Sequence, residues 1–192
     1  MYKGTSASAG IGIGKAVIVE EVRLVIAMQA VTDVEEEVQR FKGALDETIK
    51  ATEKLAEDLA TRVGEKEAEI MQGHMMLLAD PMLTGEIENS IRNDSVNSEY
   101  AIENVCNMYA DMFASMGDEL MQQRATDMRD IKTRMQQMLM GIQSVDISSL
   151  PEGSIIVAKD LTPSMTAGIN PANVTGIVTE LGGKTSHSAI LA

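Results

Sequence analysis

The sequence predicts a mixed α+β and α/β fold, in which an all-α bundle of helical hairpins is inserted into a discontinuous α/β domain. β-branched runs occur near both ends of the 192-residue chain, whereas apolar residues in its middle recur every three or four positions, as on a buried helix face. The first β segment has no partner unless it pairs with the last. We therefore expect residues 1–27 and 145–192 to form the α/β domain and residues 32–142 to form the helical insert.

A glycine-rich stretch opens the first β segment. Gly10, Gly12 and Gly14 alternate with isoleucine and precede the apolar residues 16–19, and residues 22–26 form a second β-branched run. A dinucleotide-binding fingerprint follows a strand and opens a helix, whereas this strand follows the glycines. We therefore predict two strands, with the glycines forming a bulged or closely packed start to the first.

Five helical segments are predicted in the insert. Residues 32–35 have the form of a capping box, with Thr32 as the cap, and open a helix of about 30 residues. Gly64 breaks or kinks that helix, and the next segment, residues 65–79, ends before a proline. The other segments are expected around residues 83–91, from a cap at Ser98 to Gly117, and from Glu119 to Gly141.

Methionine is abundant in this chain, which has 15 Met, two Phe and no Trp. Many of the methionines share helical faces with Ala101, Val105 and Ile131. We assign these faces to the bundle core, and an adaptable groove for a protein partner is the alternative. The methionines concerned are Met108, Met112, Met116, Met128, Met135 and Met138, and Ile142 continues the second face.

The last part of the chain combines β structure with a short helix. After a turn at residues 151–153, residues 154–158 predict a strand. The pair Thr162-Pro163 predicts a helix N-terminus with proline at its first position. Residues 176–179 predict a second strand.

The second strand leads into the sequence Gly182-Gly183-Lys184-Thr185-Ser186-His187-Ser188. Glycines let a backbone approach a phosphate closely, and the backbone N–H groups at a helix N-terminus favour an anion. Neutral imidazole is a competent nucleophile near pH 7. The motif therefore indicates phosphoryl chemistry at His187, although residue types alone leave open a packed or capping histidine in an ordinary loop.

Composition narrows the classes of partner and site. The net charge of −13 argues against nucleic acid and anionic membranes and favours a basic protein as the macromolecular partner. The single cysteine, Cys106, excludes an internal disulfide and is expected to be a small buried hydrophobe. One cysteine and two histidines in the whole sequence do not make up a classical set of zinc ligands, so we predict no metal site. Since the chain lacks a run of about 20 apolar residues and a signal peptide, we expect a soluble, cytoplasmic protein without membrane insertion.

Five segments spread through the chain together resemble enzyme I of the bacterial sugar phosphotransferase system, the phosphoenolpyruvate-protein phosphotransferase. The segments are residues 4–16, 73–78, 124–131, 160–167 and 182–188. The pattern Gly-Gly-basic-Thr-Ser-His in the last of them is highly specific for phosphohistidine domains. The resemblance implies that the α/β part is a phosphohistidine (swivelling) domain and that the helical insert docks the phosphocarrier protein HPr.

The resemblance also implies roles for single residues. His187 would take a phosphoryl group from phosphoenolpyruvate on its Nε2 atom and pass it to a histidine of HPr. Thr166 would hydrogen-bond this histidine, orient its ring and favour one tautomer. The surroundings of the phosphate would come from Gly182, Gly183, Lys184, Thr185, Ser186 and Ser188. Structural roles stay open for Thr166 in its short helix, for Lys184 as a solvated charge and for Ser186 as a cap.

The HPr contact region of the family corresponds to residues 65–78 and one arginine of the insert. The candidate contact residues are Glu65, Glu67, Glu69, His74 and Arg124. The three glutamates would suit a basic carrier surface, although Lys66 interrupts their acidic run. For a helical histidine such as His74, a packed or interface role is more typical than a catalytic role.

In enzyme I the α/β domain continues beyond the active histidine. It is followed by a barrel domain that binds phosphoenolpyruvate and magnesium and forms the dimer. On this comparison the chain would be an N-terminal portion with an α/β domain incomplete at its C-terminus, monomeric, without a cofactor of its own, and unable to use phosphoenolpyruvate alone. The alternative is that this portion only binds HPr through its helices, without transfer activity.

Overall fold

The computed structural model describes residues 4–20, 22–143 and 146–181, and this part of the chain contains three strands and six helices. The strands are β1 (Lys15–Val19), β2 (Ser154–Ala158) and β3 (Val174–Thr179). The helices are α1 (Val34–Arg62), α2 (Glu65–Leu78), α3 (Pro81–Asp94), α4 (Ser98–Ser115), α5 (Glu119–Met140) and α6 (Pro163–Gly168). The predicted arrangement of a helical bundle together with a small sheet is confirmed.

The described strands form one parallel sheet in the order β1-β2-β3. Lys15 pairs with Ser154 and Val19 pairs with Ala158, so a segment before the bundle meets a segment after it. The predicted pairing between the first and last β segments is therefore confirmed. The residue limits given above for the two domains stay a prediction.

Two glycines allow the chain to approach the sheet closely just before β1. A Cβ atom added at Gly12 would collide with the carbonyl oxygen of Thr175, and one added at Gly14 would collide with that of Gly153. Only glycine fits where backbone groups come this close. The interpretation of the glycines as a closely packed start to the strand is confirmed for Gly12 and Gly14.

The second strand predicted near the N-terminus, at residues 22–26, is wrong. This segment forms no strand, and the side chain of Val25 is 85% exposed. Further along the same connection, Val31 N–H donates to the carbonyl oxygen of Ser95 in the α3–α4 loop. β propensity reflects the fit to a partly buried sheet surface, and this connection leaves the sheet for the bundle instead.

Two of the predicted helix caps are shifted by one residue. Asp33, rather than Thr32, is the N-cap of α1, because its carboxylate accepts a hydrogen bond from the backbone N–H of Glu36. Ser98 is the first residue of α4 and not its cap. The break between α1 and α2 does fall at Gly64, where φ is 152°, in the region that favours glycine.

The bundle consists of antiparallel hairpins, α1 with α2 and α4 with α5, and α3 packs against α4. Its fully buried centre includes Phe41, Ile87, Ile102 and Ile131. Cys106 is buried in α4, as predicted. A smaller apolar cluster beneath the sheet consists of Val19, Ile147, Ile156, Ala158, Leu161 and Ile169. Most of the buried apolar side chains in the described ranges therefore belong to the helices.

Only part of the methionine prediction is confirmed. Met128 and Met135 are buried in α5. The exposed fractions of the others are 55% for Met108, 44% for Met112, 53% for Met116 and 40% for Met138, so their assignment to the core is wrong. Helical spacing does place Met112 on the side of the buried Ala101, but in the last turns of α4 that side is left uncovered.

Candidate functional site

The histidine motif, residues 182–188 with His187, lies outside the described residues. The chain is described up to Leu181, whose N–H donates to the carbonyl oxygen of Lys159 at 2.8 Å. This hydrogen bond continues the pairing of β3 with β2 just past the end of β2. The chain therefore reaches the motif at the carboxyl edge of the parallel sheet, where open α/β folds place their ligands.

The short helix α6 starts at the same edge of the sheet. The hydroxyl of Thr162 caps it by accepting a hydrogen bond of 3.3 Å from Met165 N–H, and Pro163 takes the first helical position, as predicted. Thr166 is 1% exposed, and its hydroxyl donates to the carbonyl oxygen of Thr162 at 2.9 Å. Because this bond uses the hydroxyl hydrogen, the remaining lone pairs of Thr166 Oγ1 can only accept.

Two charged side chains from the bundle hold α6 at its two ends, and we call them the α6 clamp. At the N-terminal end, Asp130 of α5 accepts hydrogen bonds from Ser164 N–H at 2.8 Å and from Ser164 Oγ–H at 2.7 Å. At the C-terminal end, the guanidinium of Arg62 in α1 donates to the carbonyl oxygens of residues 167–169 at 2.8 to 3.1 Å. The clamp connects α6 to two different helices of the bundle.

Apolar contact supports the clamp along one side of α6. Ala167 is buried in a cluster with Ala56, Leu59 and Met71 of α1 and α2. Beside α6 lies a cleft of about 690 Å³, lined by both clamp residues and by parts of α1 and α5. The bundle therefore contacts α6 through this apolar cluster and through the polar bonds of the clamp.

His74 lies inside the bundle, next to the clamp. It is fully buried in α2, with its Nε2 atom 3.2 Å from Asp127 Oδ1 and its Nδ1 atom 3.8 Å from Asp130 Oδ2. Neither nitrogen is aligned for a hydrogen bond with a described group. Of the roles considered for His74, the packed one matches this position, because a fully buried side chain does not touch a partner directly.

The guanidinium of Arg134 in α5 places a positive charge near Asp130. Its Nη1 atom is buried and has no hydrogen-bond partner among the described residues. Burial lowers the pKa of Arg134, and the negative charge of Asp130 opposes this change. Asp130 therefore lies beside a buried guanidinium as well as at the N-terminus of α6.

One end of the bundle carries exposed apolar side chains. The α2–α3 and α4–α5 connections lie together at this end: the Arg124 side chain of α5 lies against Gly73 of α2, and Tyr109 of α4 lies near Asp80 and Glu86. Burial and these two charges raise the pKa of Tyr109. The exposed residues, which we call the apolar end patch, are Met76, Met82, Met108, Met112, Met116 and Leu120.

The candidate charged contacts lie on α2 and at the start of α5. Glu65, Lys66 and Glu69 are exposed. The side chain of Glu67 lies outside the described part of the structure. Arg124 is half-buried, with its Nη1 atom 3.9 Å from Asp127 Oδ2, and is thus partly engaged within the protein.

Sequence reasoning did not find the α6 clamp. Asp130 belongs to one of the segments that carry the resemblance, residues 124–131, and this could have marked it as a candidate. Arg62 lies in the last turn of α1, where basic residues are common because they face the negative end of the helix dipole. Nothing in the sequence alone distinguishes it from other such residues.

Within residues 4–20, 22–143 and 146–181, no group of three or more His, Cys, Asp or Glu side chains could hold a metal ion. Across the same part of the chain, no helix is long and apolar enough to cross a membrane.

Comparison with known proteins identifies the family. Residues 3–124 match the family described as PEP-utilising enzyme, N-terminal, and residues 150–192 match PEP-utilising enzyme, mobile domain. The chain therefore belongs to the PEP-utilising enzymes, with an N-terminal region followed by the mobile domain that carries the histidine motif.

Three individual relatives of the chain have the same enzyme name. Phosphoenolpyruvate-protein phosphotransferases of Listeria monocytogenes and Bacillus subtilis are 43% and 42% identical to the chain over 99% of its length, and that of Haemophilus influenzae is 37% identical over 100%. The chain spans only 33% or 34% of the length of these relatives. The predicted resemblance to enzyme I is confirmed.

Solved structures agree with this assignment. An NMR solution structure of an Enzyme I protein is 39% identical, covers 100% of the chain and 78% of its own length, and superposes with a TM-score of 0.86. The N-terminal domain of Enzyme 1 - Nitrogen, at 24% identity, covers 96% of the chain and 76% of its own length with a TM-score of 0.67. The second likeness supports the fold alone.

Proposed function

We propose that the chain is the phosphoryl-carrying part of a phosphoenolpyruvate-protein phosphotransferase. In this proposal, His187 accepts a phosphoryl group that originates from phosphoenolpyruvate and passes it to a histidine of HPr. The observation that carries the proposal is the approach of the chain to the motif at the carboxyl edge of the sheet, where α6 holds Thr166. Membership of the family supports the same conclusion.

The hydrogen bonding of Thr166 supports a specific tautomer of His187. Since the Thr166 hydroxyl donates to Thr162 O, its oxygen is left as an acceptor. An acceptor at this point pairs with a protonated Nδ1 atom of a neutral imidazole. The lone pair then lies on Nε2, which is the nucleophile in the proposal.

The transfer exchanges one P–N bond for another. In the reverse direction, from phosphorylated HPr to this chain, the Nε2 lone pair of His187 attacks phosphorus while the bond from phosphorus to the HPr histidine breaks. The electron pair of that bond stays on the HPr nitrogen. Donors that hold the three equatorial oxygens lower the barrier when both nitrogens lie in line with phosphorus. We assign this holding role to Gly182, Gly183, Lys184, Thr185, Ser186 and Ser188.

We further propose that HPr docks at the apolar end patch and the neighbouring face of α2. Exposed apolar patches of this kind commonly mark protein interfaces, and flexible methionine adapts well to a partner surface. The acidic residues Glu65, Glu67 and Glu69 would meet basic side chains of the carrier, in keeping with the net charge of −13. Arg124 would lie at the edge of this contact, and His74 would act only from the interior.

The remaining steps belong, in this proposal, to other parts of the enzyme. We assign the binding of phosphoenolpyruvate and magnesium, and dimer formation, to the C-terminal two thirds of the relatives, which this chain does not match. The chain itself is then expected to be monomeric and cytoplasmic, with no cofactor of its own. Alone, it should exchange phosphate with HPr but not with phosphoenolpyruvate.

Phosphorylated HPr, freed from the enzyme that produced it, provides the test. When it is mixed with the chain, intact-mass measurement should show the gain of one phosphoryl group that acid treatment removes. His187→Ala should gain none, whereas His74→Gln, which changes the other of the two histidines, should still be labelled. Absence of acid-labile phosphate from the wild-type chain, or labelling of His187→Ala, would contradict the proposal.

A second candidate function is HPr binding without transfer. The apolar core lies mainly in the helices, so the bundle could bind HPr even if the α/β part were inactive. Titration with unphosphorylated HPr, followed by amide chemical shifts, distinguishes the two functions. Binding together with transfer supports the first candidate, and binding without transfer supports the second.

A further inference from the structure

We propose that Asp130 and Arg62 are positioning residues for phosphoryl transfer, because the α6 clamp fixes the placement of Thr166. This inference rests on the proposed function, since Thr166 matters for transfer only if it orients His187. It concerns two residues of the helical bundle, both of which bond α6.

The N-terminal end of α6 is completed by a group from another helix. A helix start leaves backbone N–H groups without partners. Pro163 has no N–H, and Thr162 satisfies the N–H groups of Met165 and Thr166 through its hydroxyl and its carbonyl oxygen. The remaining N–H, that of Ser164, is bonded by the Asp130 carboxylate at 2.8 Å. A charged acceptor makes a stronger hydrogen bond than a neutral one, so this contact holds α6 firmly to α5.

The C-terminal end is completed in the complementary way. The last carbonyl oxygens of a helix lack partners and carry partial negative charge. Arg62 Nη1 donates to Gly168 O at 3.1 Å and Ile169 O at 2.8 Å, and Nη2 donates to Ala167 O at 3.1 Å. Arg62 Nε is itself held by the carbonyl oxygen of Asp58 at 3.1 Å. The planar guanidinium thus fixes both the direction and the depth of α6 against α1.

Thr166 lies between these two ends. A helix of six residues is not stable alone in water, so its geometry depends on such external contacts. Thr166 and Ala167 are both buried, and Ala167 packs on α1 and α2. A shift of either end therefore moves the Thr166 hydroxyl. A displacement of about 1 Å at a reacting site can slow a reaction by about 100-fold.

The simpler alternative is that the clamp only holds the bundle and the sheet together. Both roles predict that losing Asp130 or Arg62 weakens the contact with α6. They differ in their dependence on Thr166. If the clamp acts through Thr166, its loss should matter little once the Thr166 hydroxyl is gone, whereas a general loss of structure should slow transfer equally in both backgrounds.

A double-mutant cycle separates the two roles. The rate of phosphoryl transfer from phosphorylated HPr is measured by rapid quench for Asp130→Asn and Arg62→Met, each in the wild-type and the Thr166→Ala background. Asn retains the shape of the side chain but removes its charge and one acceptor oxygen. We expect a loss of about tenfold or more in the wild-type background and less than about twofold with Thr166→Ala. Glu57→Gln, which neutralises an exposed acid of the same helix as Arg62, should leave the rate unchanged.

A second readout follows the histidine itself. Nitrogen chemical shifts of His187 report which ring nitrogen carries the proton, and a merely structural clamp would not change them. In the clamp variants the ring should move towards the tautomer mixture of a free imidazole. If Asp130→Asn does not fold, Ser164→Ala and Arg62→Lys make the same comparison with smaller perturbations, because each retains part of the clamp.

The outcomes can be told apart. If the wild-type chain gains no phosphate from HPr, the proposed function fails. If the wild-type chain is labelled but both clamp variants transfer at the wild-type rate, the clamp proposal alone is wrong. Equal slowing in the Thr166→Ala background, with an unchanged His187 tautomer, would also overturn it in favour of a structural role.

Discussion

The thiol of Cys106 is a reactive group, but its position in the fold protects it from reagents in solution. It is fully buried in α4, and burial raises the pKa of its thiol to about 12. Alkylating reagents react with the thiolate. At pH 8 the folded protein should therefore react with iodoacetamide roughly 100-fold or more slowly than the protein in denaturant. Mass spectrometry over time measures both rates, and native labelling as fast as in denaturant would contradict the prediction.

The same thiol predicts a pH dependence of stability. In the unfolded chain it loses its proton near pH 8.5, whereas in the folded protein it keeps the proton up to about pH 12. Deprotonation therefore favours the unfolded chain, and the contribution of the thiol to the free energy of unfolding falls as the pH rises above about 8.5. Between pH 7 and pH 10, the free energy of unfolding measured with urea should fall by up to about 2 kcal/mol more for the wild type than for Cys106→Ala. Equal losses would show that the thiol does not contribute.

Single residues also show how far the site could be predicted from the sequence. Thr166 and the histidine motif were found because they belong to compact segments whose pattern indicates phosphohistidine chemistry. Asp130 and Arg62 were not found, because the α6 groups they bond lie 34 and more than 100 positions away along the chain. Such pairs depend on the packing of α6 against the bundle, which local patterns do not contain.

At the scale of elements, capping gives a direct test of how α3 begins. Asp80 is the N-cap of α3, and its carboxylate accepts a hydrogen bond of 2.8 Å from Met82 N–H. Asp80→Ala should lower the free energy of unfolding by about 1 kcal/mol, whereas Asp80→Asn, which can make the same bond, should cost little. Urea denaturation followed by circular dichroism measures both. Equal stability of the Ala and Asn variants would show that the cap contributes little.

The methionines of α4 show why periodicity alone did not settle their role. Spacing correctly identified one side of the helix, which holds the buried Ala101 and Val105. It does not tell where along the helix the covering elements stop, so Met112 and Met116 were assigned to the core although they are exposed. The alternative considered for this stripe, a surface for a protein partner, gains support from their exposure.

This exposure leads to a prediction about docking. Met76 and Met112 are 72% and 44% exposed, so replacing them should disturb the fold little. We expect Met76→Ser with Met112→Ser to weaken HPr binding by about tenfold or more, as for central residues of an interface. Met140→Ser is the matched control, because Met140 is 41% exposed at the opposite end of α5. Isothermal titration measures the affinities, and equal weakening by the control would contradict the assignment of the patch.

At the scale of the whole molecule, the sequence predicted the order of elements and the pairing of distant β segments. The pairing could be predicted because the first strand had no other partner. The false strand at residues 22–26 arose from the same β-branched signal, since propensity does not reveal whether a neighbouring strand is available. The relative placement of bundle and sheet was not predictable, because the side chains that set it come from α1, α5 and α6 together.

The uneven distribution of apolar surface predicts uneven stability across the molecule. Among the residues that the structure describes, the bundle core includes 16 buried residues in one cluster, whereas the cluster beneath the sheet includes six. On the sheet, Ile18 and Val178 are 73% and 55% exposed, so β1 and β3 bury little of their outer faces. Regions with few buried apolar contacts open more easily than the rest of a protein.

Hydrogen exchange of the intact chain tests this difference. Backbone amides in the middle of α4 and α5 should exchange with a free energy of opening higher by about 2 kcal/mol or more than those of β1 and β2. Exchange followed by mass spectrometry of peptides resolves these elements, and the α3 peptides serve as an internal reference for the bundle. Equal protection of the sheet and the bundle would mean that the clamp and the contacts of α6 couple them into one cooperative unit. In that case the loss of Asp130 should lower protection in both, and the bundle would not be the independently stable part.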